Sequence, residues 1–228
     1  MNESVSVWAV IPAWNEERVI KQVIREVLPF VSAVVVVDDF SRDNTSVQAT
    51  DAGAMVIGHP LNLGQGAALQ TGMEYALKNG ADVIVHFDAD GQHVAEDIPS
   101  LIKPIYEGKA DIVLGSRFLK KNDIPFARKM FLQGAILFTW IFSGIRLTDT
   151  HNGLRAFSRK AARIVVIREN RMAHASEIIH CIAQSKLRYV EIPVTIRYTE
   201  YSMARGDSSI KRTLQVVGRL VWKKLFAD

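Results

Sequence analysis

Asp88 and Asp90, inside the string VIVHFDADGQH at residues 83–93, are the side chains of this sequence most suited by type and spacing to chemistry. Five mostly apolar residues run straight into Asp88-Ala89-Asp90, and Gly91-Gln92 follows at once. That is the pattern of a buried strand that stops where the acids begin. Side chains two apart on an extended strand face the same way, so the two carboxylates are expected side by side. At roughly 4 Å they repel by about 4 kcal/mol in an effective dielectric of about 20. A divalent cation between them removes that cost. Mg²⁺ takes one or two protein carboxylates and fills its other positions with water and substrate phosphates. The competing reading is a solvated turn in which each acid caps the next helix.

The elements that must position these acids follow from periodicity. Short β-branched runs predict strands at 5–11, 33–37, 54–57, 83–87 and 112–114, and amphipathic stretches predict helices at 16–28, 45–52, 65–78 and 96–106. Asn15 is the expected N-cap of the first helix, and Pro99 falls in the opening turn of the last. Further strand candidates lie at 154–157 and 189–198. Alternating strands and helices imply right-handed crossovers and an α/β fold: a mostly parallel, doubly covered sheet in three α/β/α layers. With 228 residues and no linker or repeat, one domain spanning 1–228 is expected.

In open α/β sheets ligands bind beyond the carboxyl ends of the strands, and the polar clusters of this chain fall at such ends. Pro12-Ala13-Trp14-Asn15-Glu16 follows the first strand, Asp38-Asp39 the second, and Asp88-Ala89-Asp90 the fourth. Together they outline a nucleotide-plus-metal site. For Asp38 and Asp39 ligand contact is favoured; Asp43 and Thr45 are expected to cap the following helix. Asn62-Leu63-Gly64-Gln65-Gly66-Ala67 lacks both the third glycine of a dinucleotide fingerprint and a phosphate-loop lysine, so its glycines are expected to permit close backbone approach at a helix start. Gly115-Ser116-Arg117 ends the fifth strand, where a guanidinium suits a phosphate. Asp149 and Arg155 flank Asn152-Gly153, either a further part of the site or a turn held by the Asp side chain. Arg205-Gly206-Asp207-Ser208-Ser209 is either a lid over a diphosphate or a solvated connection.

Composition narrows the setting. Hydrophobic residues at 48% with 23% charged residues describe a globular protein. The apolar start is too short for a signal peptide, and the single Cys181, read as core filler, forms no internal disulfide, so a reducing cytosol is expected. Residues 130–145 carry no charge but are short of the about 20 needed to span a bilayer, leaving a buried or an interfacial helix. From Lys186 onward nine basic residues face four acids, a net +5 against +4 for the whole chain. The stretch 208–226 places Ile210, Leu214, Val217, Val221 and Leu225 at helical spacing among lysines and arginines, which suits either a membrane surface or an ordinary solvated helix. No motif for nucleic acid accompanies the charge.

The strings at 10–17, 37–45 and 87–93 resemble the signatures of inverting family-2 glycosyltransferases with a GT-A fold. Those at 62–67, 115–117 and 149–155 are similar to its dolichyl- or polyprenyl-phosphate sugar synthase branch. The resemblance implies that Pro12, Trp14, Asn15, Glu16, Asp38, Asp39, Asp88, Ala89 and Asp90 contact the nucleotide, and that Asp88, Asp90 and Gln92 surround Mg²⁺ or Mn²⁺. It implies that Arg117 and Arg128 hold the acceptor phosphate and that Arg205 reaches the donor diphosphate. Asp88, Asp90, Arg117 and Asp149 form the expected catalytic set, with nucleotide binding by about residues 5–117 and acceptor binding by about 118–228. The sequence departs from the family at Phe40, where glycine is usual, at Leu132, where a serine binds phosphate, and in its 206–211 ending.

The expected reaction moves a hexose from a nucleotide-diphosphate sugar to a polyprenyl phosphate, at the cytosolic membrane face as a peripheral protein. A small separate membrane protein is a further expected partner. The alternative is transfer to a saccharide hydroxyl, with Asp149 as base. The donors GDP-mannose, UDP-glucose and UDP-N-acetylglucosamine all remain open. A nucleotidyltransferase would need a glycine-rich basic loop after the first strand, and a donor-binding subunit without turnover would not need both Asp88 and Asp90.

Overall fold

The computed structural model describes residues 5–120, 136, 140, 144–150 and 152–197. Its elements are β1 (Val7–Ala13), α1 (Ile20–Val27), β2 (Ala33–Asp38), α2 (Thr45–Asp51), β3 (Met55–Gly58), α3 (Gln65–Lys78), β4 (Val83–His86), α4 (Ile98–Tyr106), β5 (Ile112–Ser116), β6 (Arg155–Ser158), α5 (Arg159–Ile164), α6 (His174–Gln184) and β7 (Tyr189–Pro193). Seven strands form one sheet in the order β3-β2-β1-β4-β6-β5-β7. All seven residues of β1 are buried, as a central strand covered on both faces requires.

Two apolar layers flank the sheet. On one face Ile20, Val23, Ile24 and Val27 of α1 present the i, i+3, i+4, i+7 stripe of an amphipathic helix, joined there by Ile98 and Leu101 of α4. On the other, Leu69 and Met73 of α3 meet Ile178, Ile179 and Ile182 of α6, with Cys181 packed at the margin. Helix α3 lies close because Gly72 faces β1; a Cβ there would stand 2.3 Å from Val10 Cγ1. Ser158 caps α5 by accepting the Ala161 N–H at 3.1 Å.

Strands β1, β2, β3 and β4 pair in parallel, as do β5 and β7, whereas β6 runs antiparallel between β4 and β5. This reversal serves the site. Arg155, the first residue of β6, pairs with His86 and Leu114, so it arrives at the rim where the parallel strands end. The sheet is therefore mixed, mostly parallel and flanked by helices.

Two local expectations need correction. The first helix begins at Ile20, not at 16, because the Glu16 carbonyl accepts the Val19 and Ile20 N–H groups in a turn. Asn15 is not its cap; it stands at φ 55 and accepts the Arg42 N–H through Oδ1 at 2.8 Å. The fourth strand ends at His86, so Asp88 and Asp90 lie in the turn beyond it and strand alternation does not orient them.

Candidate active site

Three loops converge at the carboxyl ends of β1, β2 and β4. The first two are stitched together by backbone and side-chain bonds. Asp39 N–H donates to the Ala13 carbonyl at 2.8 Å, Asn15 N–H to Ser41 Oγ at 2.9 Å, and Glu16 N–H to Thr45 Oγ1 at 2.8 Å. Pro12 is buried within β1, Glu16 is buried, and Trp14 is exposed. Asp43 accepts the Thr45 N–H at 3.0 Å and the Glu17 N–H at 3.2 Å, which places it at the start of α2. Partial burial raises its pKa, yet the hydrogen bond from the Thr45 hydroxyl, with these backbone bonds, outweighs burial and holds the carboxyl below the ordinary value.

Asp38 and Asp39 are both buried, and each organises backbone. Asp38 accepts the Ser41 N–H at 2.9 Å and the Ser46 hydroxyl. Asp39 accepts His59 Nδ1 at 2.8 Å, Leu63 N–H at 2.8 Å and Gly64 N–H at 2.7 Å, while its own carbonyl takes the Asn62 amide. His59 Nε2 stands 3.0 Å from Thr71 Oγ1, tying this knot to α3. The glycines at the start of α3 are needed for approach. At Gly64, with φ 106, a Cβ would meet the Asn170 carbonyl oxygen at 2.4 Å, and at Gly66 one would meet the Glu169 oxygen at 2.0 Å.

Asp88 sits at the meeting point of these loops. Its Oδ1 accepts Gln65 Nε2 at 2.9 Å and its Oδ2 pairs with His93 Nε2 at 3.0 Å. The loop before β6 passes directly over it, since a Cβ on Gly153 would stand 2.1 Å from Asp88 Oδ2. Burial pushes the Asp88 carboxyl up, but the His93 hydrogen bond and the positive surroundings of His93, His174 and Arg155 bring it below the ordinary carboxylate value. Arg155 is buried, which lowers its pKa to about 10 against the opposing pull of Asp88 and Asp149. Ala89 is buried, and Asp90 Oδ1 accepts the Gln92 N–H at 3.0 Å.

Arg117 and Asp149 form a buried ion pair. Arg117 Nε lies 2.6 Å from Asp149 Oδ2, which also accepts the Arg117 backbone N–H at 3.1 Å. Glu191 of β7 fixes this loop by accepting Thr148 N–H at 2.9 Å and Asp149 N–H at 3.1 Å. The structure thus gathers Asp88, Gly153 and Arg155 at one strand end, with Asp149 bound to Arg117 at the end of β5. Arg128, Leu132, Arg205 and the stretch 208–226 lie outside the described residues, as do most of residues 130–145.

Sequence reasoning passed over His93, Gln65, His59 and Glu191. His93 was within reach, because it closes the same DADGQH string; the others act across long sequence separations that periodicity does not reveal. Among the described residues no group of three or more His, Cys, Asp or Glu could by itself hold a metal. The donor set still fits Mg²⁺ or Mn²⁺. Asp88 and Asp90 offer hard carboxylate oxygens, the donor type these ions take, and such ions complete their shell with water and phosphate. Among the described residues no helix is long and apolar enough to cross a membrane.

A family model described as "Glycosyl transferase family 2" matches residues 8–166. The chain is 34% identical over 225 residues to a UDP-N-acetylglucosamine–dolichyl-phosphate N-acetylglucosaminyltransferase of Methanococcus voltae, covering 89% of this chain and 90% of that protein. It is 32% identical over 218 residues to an undecaprenyl-phosphate mannosyltransferase of Micrococcus luteus, covering 90% and 88%. A solved structure of glucosyl-3-phosphoglycerate synthase from Mycobacterium tuberculosis, in complex with Mn²⁺, UDP-glucose and phosphoglyceric acid, aligns with TM-score 0.70 at 19% identity, covering 99% of this chain and 82% of that one.

Proposed function

Because the chain belongs to glycosyl transferase family 2, and is therefore a glycosyltransferase of GT-A fold, we propose that it moves a hexose from a nucleotide-diphosphate sugar to a polyprenyl phosphate with inversion. The observation that carries this reading is the likeness, over about nine-tenths of their length, to two transferases named for dolichyl and undecaprenyl phosphate.

In this reading a phosphate oxygen of the lipid attacks the anomeric carbon as the bond to the donor diphosphate breaks. A phosphate is already ionised near neutral pH, so no strong general base is required, and the protein's task is to align two polyanions. Asp149, bonded to Arg117 through Oδ2, then serves as an anchor for a guanidinium that grips phosphate. That arrangement favours a phosphate acceptor over a sugar hydroxyl, which needs a carboxylate base. Mg²⁺ or Mn²⁺ held by Asp88 and Asp90, with Gln92 alongside, would neutralise charge on the departing diphosphate. The nucleoside lies against the β1 and β2 loops, near Pro12, Trp14, Asn15, Glu16, Asp38 and Asp39.

We place the protein peripherally on the cytosolic face of the membrane and treat residues 1–228 as a single domain. Labelled UDP- and GDP-sugars with Mn²⁺ are expected to label dolichyl or undecaprenyl phosphate. Labelling of saccharide alcohols with none of prenyl phosphate would overturn the acceptor assignment.

A further inference from the structure

Phe40 adopts a backbone conformation that its side chain disfavours, and the structure shows no internal return for it. Its φ is 66, in the left-handed region, where a Cβ crowds the following carbonyl oxygen. Glycine is the residue that occupies this region without cost. The residue is 46% exposed and belongs to neither apolar cluster, so burial in the core does not explain it. Among the described residues it pairs with no other ring.

The conformation is imposed from both sides. Asp39, before it, is fixed by its N–H on the Ala13 carbonyl and by three donors to its carboxylate. Ser41, after it, is held by its N–H on Asp38 Oδ1 and its hydroxyl on the Asn15 N–H. Asn15, the other non-glycine residue with positive φ among the described residues, follows Trp14, which is 43% exposed. Ala13 and Asp38 are register partners on adjacent parallel strands. Two aromatic side chains are thus displayed on neighbouring loops tied together by Asn15 and Ser41, at the strand ends where nucleotides bind in open α/β sheets.

We propose that Phe40 is a stacking platform for the nucleobase of the donor, an affinity element that the chain maintains against its own backbone preference. This rests on the nucleotide-sugar reading above and assigns the residue that grips the planar part of that ligand. A ring face accepts any base, so Phe40 supplies affinity for a flat heterocycle and leaves the choice of base to polar groups around it. Loss of one base–aromatic stack weakens binding by roughly 5- to 150-fold.

The test compares Phe40→Gly, Phe40→Leu and Phe40→Tyr with the natural protein. UDP and GDP binding are measured calorimetrically with Mn²⁺, pyrophosphate with Mn²⁺ serves as the ligand without a base, and thermal unfolding is followed in parallel. Phe40→Gly is expected to unfold at the same or a higher temperature, to bind the preferred nucleoside diphosphate about tenfold or more weakly, and to bind pyrophosphate unchanged. Phe40→Leu is expected to lose affinity likewise, and Phe40→Tyr to keep it. Unchanged nucleotide affinity in Phe40→Gly, or an equal loss for pyrophosphate, overturns the proposal and leaves the transferase reading intact. Loss of anionic-vesicle binding with nucleotide affinity preserved overturns it in favour of a lipid contact. If the natural protein binds neither UDP nor GDP, the donor site itself is misread and the proposal falls with it.

Discussion

His86 offers the sharpest test of the physical reasoning, because its environment fixes both the size and the sign of the effect. The imidazole is 1% exposed, neither ring nitrogen has a hydrogen-bond partner, and it packs at 4.7 Å, tilted by 48°, on Phe157. Burial, then the charges of Arg155 and His174, hold its pKa well below the ordinary 6.5 against a smaller pull from Asp88. Replacement by leucine removes two uncompensated polar atoms, worth about 1–3 kcal/mol. It also loses a ring contact worth about 0.5–1.5 kcal/mol. Near pH 7.5 the variant is therefore expected to be as stable as the natural protein, or more so by about 1–2 kcal/mol.

The pH dependence adds a second signature. On unfolding, the ring regains its ordinary pKa and takes up a proton below pH about 6.5, which the folded protein refuses. The unfolded state then binds more protons, so stability falls as the medium is acidified through that value. Between pH 7.5 and 5.5 the natural protein is expected to lose roughly 1 kcal/mol relative to His86→Leu. Urea unfolding of both proteins at the two pH values, with equal m-values, measures this directly. A pH-independent difference, or a variant less stable by about 2 kcal/mol or more at pH 7.5, refutes the reasoning.

Asp90→Ala is expected to keep the far-ultraviolet circular dichroism of the fold and to lose Mn²⁺ binding and at least about a hundredfold in transfer; full activity in EDTA-treated protein would contradict it. Gly153→Ala sets a Cβ 2.1 Å from Asp88 Oδ2 and must displace that carboxylate. It is expected to cost about ten- to a hundredfold in kcat with little change in melting temperature, and steady-state kinetics on the folded variant decide the point. Gly72→Ala brings a Cβ to 2.3 Å from Val10 Cγ1 and is expected to destabilise by about 1–3 kcal/mol through the α3–β1 packing, read by thermal unfolding.

The parallel half of the sheet was legible because its strands are short β-branched runs and its helices α1 and α3 keep apolar stripes; α3 in particular spans residues 65–78 as its pattern indicates. The reversal of β6 was not. Residues 154–157 carry the composition of a buried strand in either direction, and only pairing with β4 and β5 settles which. The acidic rim was legible as a set of strand-end clusters, but its wiring was not. Nothing local couples Asp39 to Leu63 and Gly64, or Glu191 to Thr148; those bonds join residues 24, 25 and 43 positions apart. The pleat argument does not orient Asp88 and Asp90, because the strand ends two residues before the first of them.

A rim with this many acids raises the question of why it does not repel itself apart before any ligand arrives. The bonds supply the answer one carboxylate at a time. Asp39 is met by an imidazole and two backbone N–H groups, Asp88 by Gln65 and His93 with Arg155 nearby, and Asp149 by Arg117. Donors held by backbone or by buried side chains need no rearrangement when charge changes at the site, and this is the condition under which fixed dipoles stabilise developing charge. The chain of contacts is also continuous: Asp39 fixes Gly64, Gly64 opens α3, and Gln65 in its first turn holds Asp88. The loop after β2 and the loop after β4 are therefore set by one connected framework. The acids that look from sequence like a list of ligands divide, in the fold, into Asp39 as the knot of that framework and Asp88 as the group it presents.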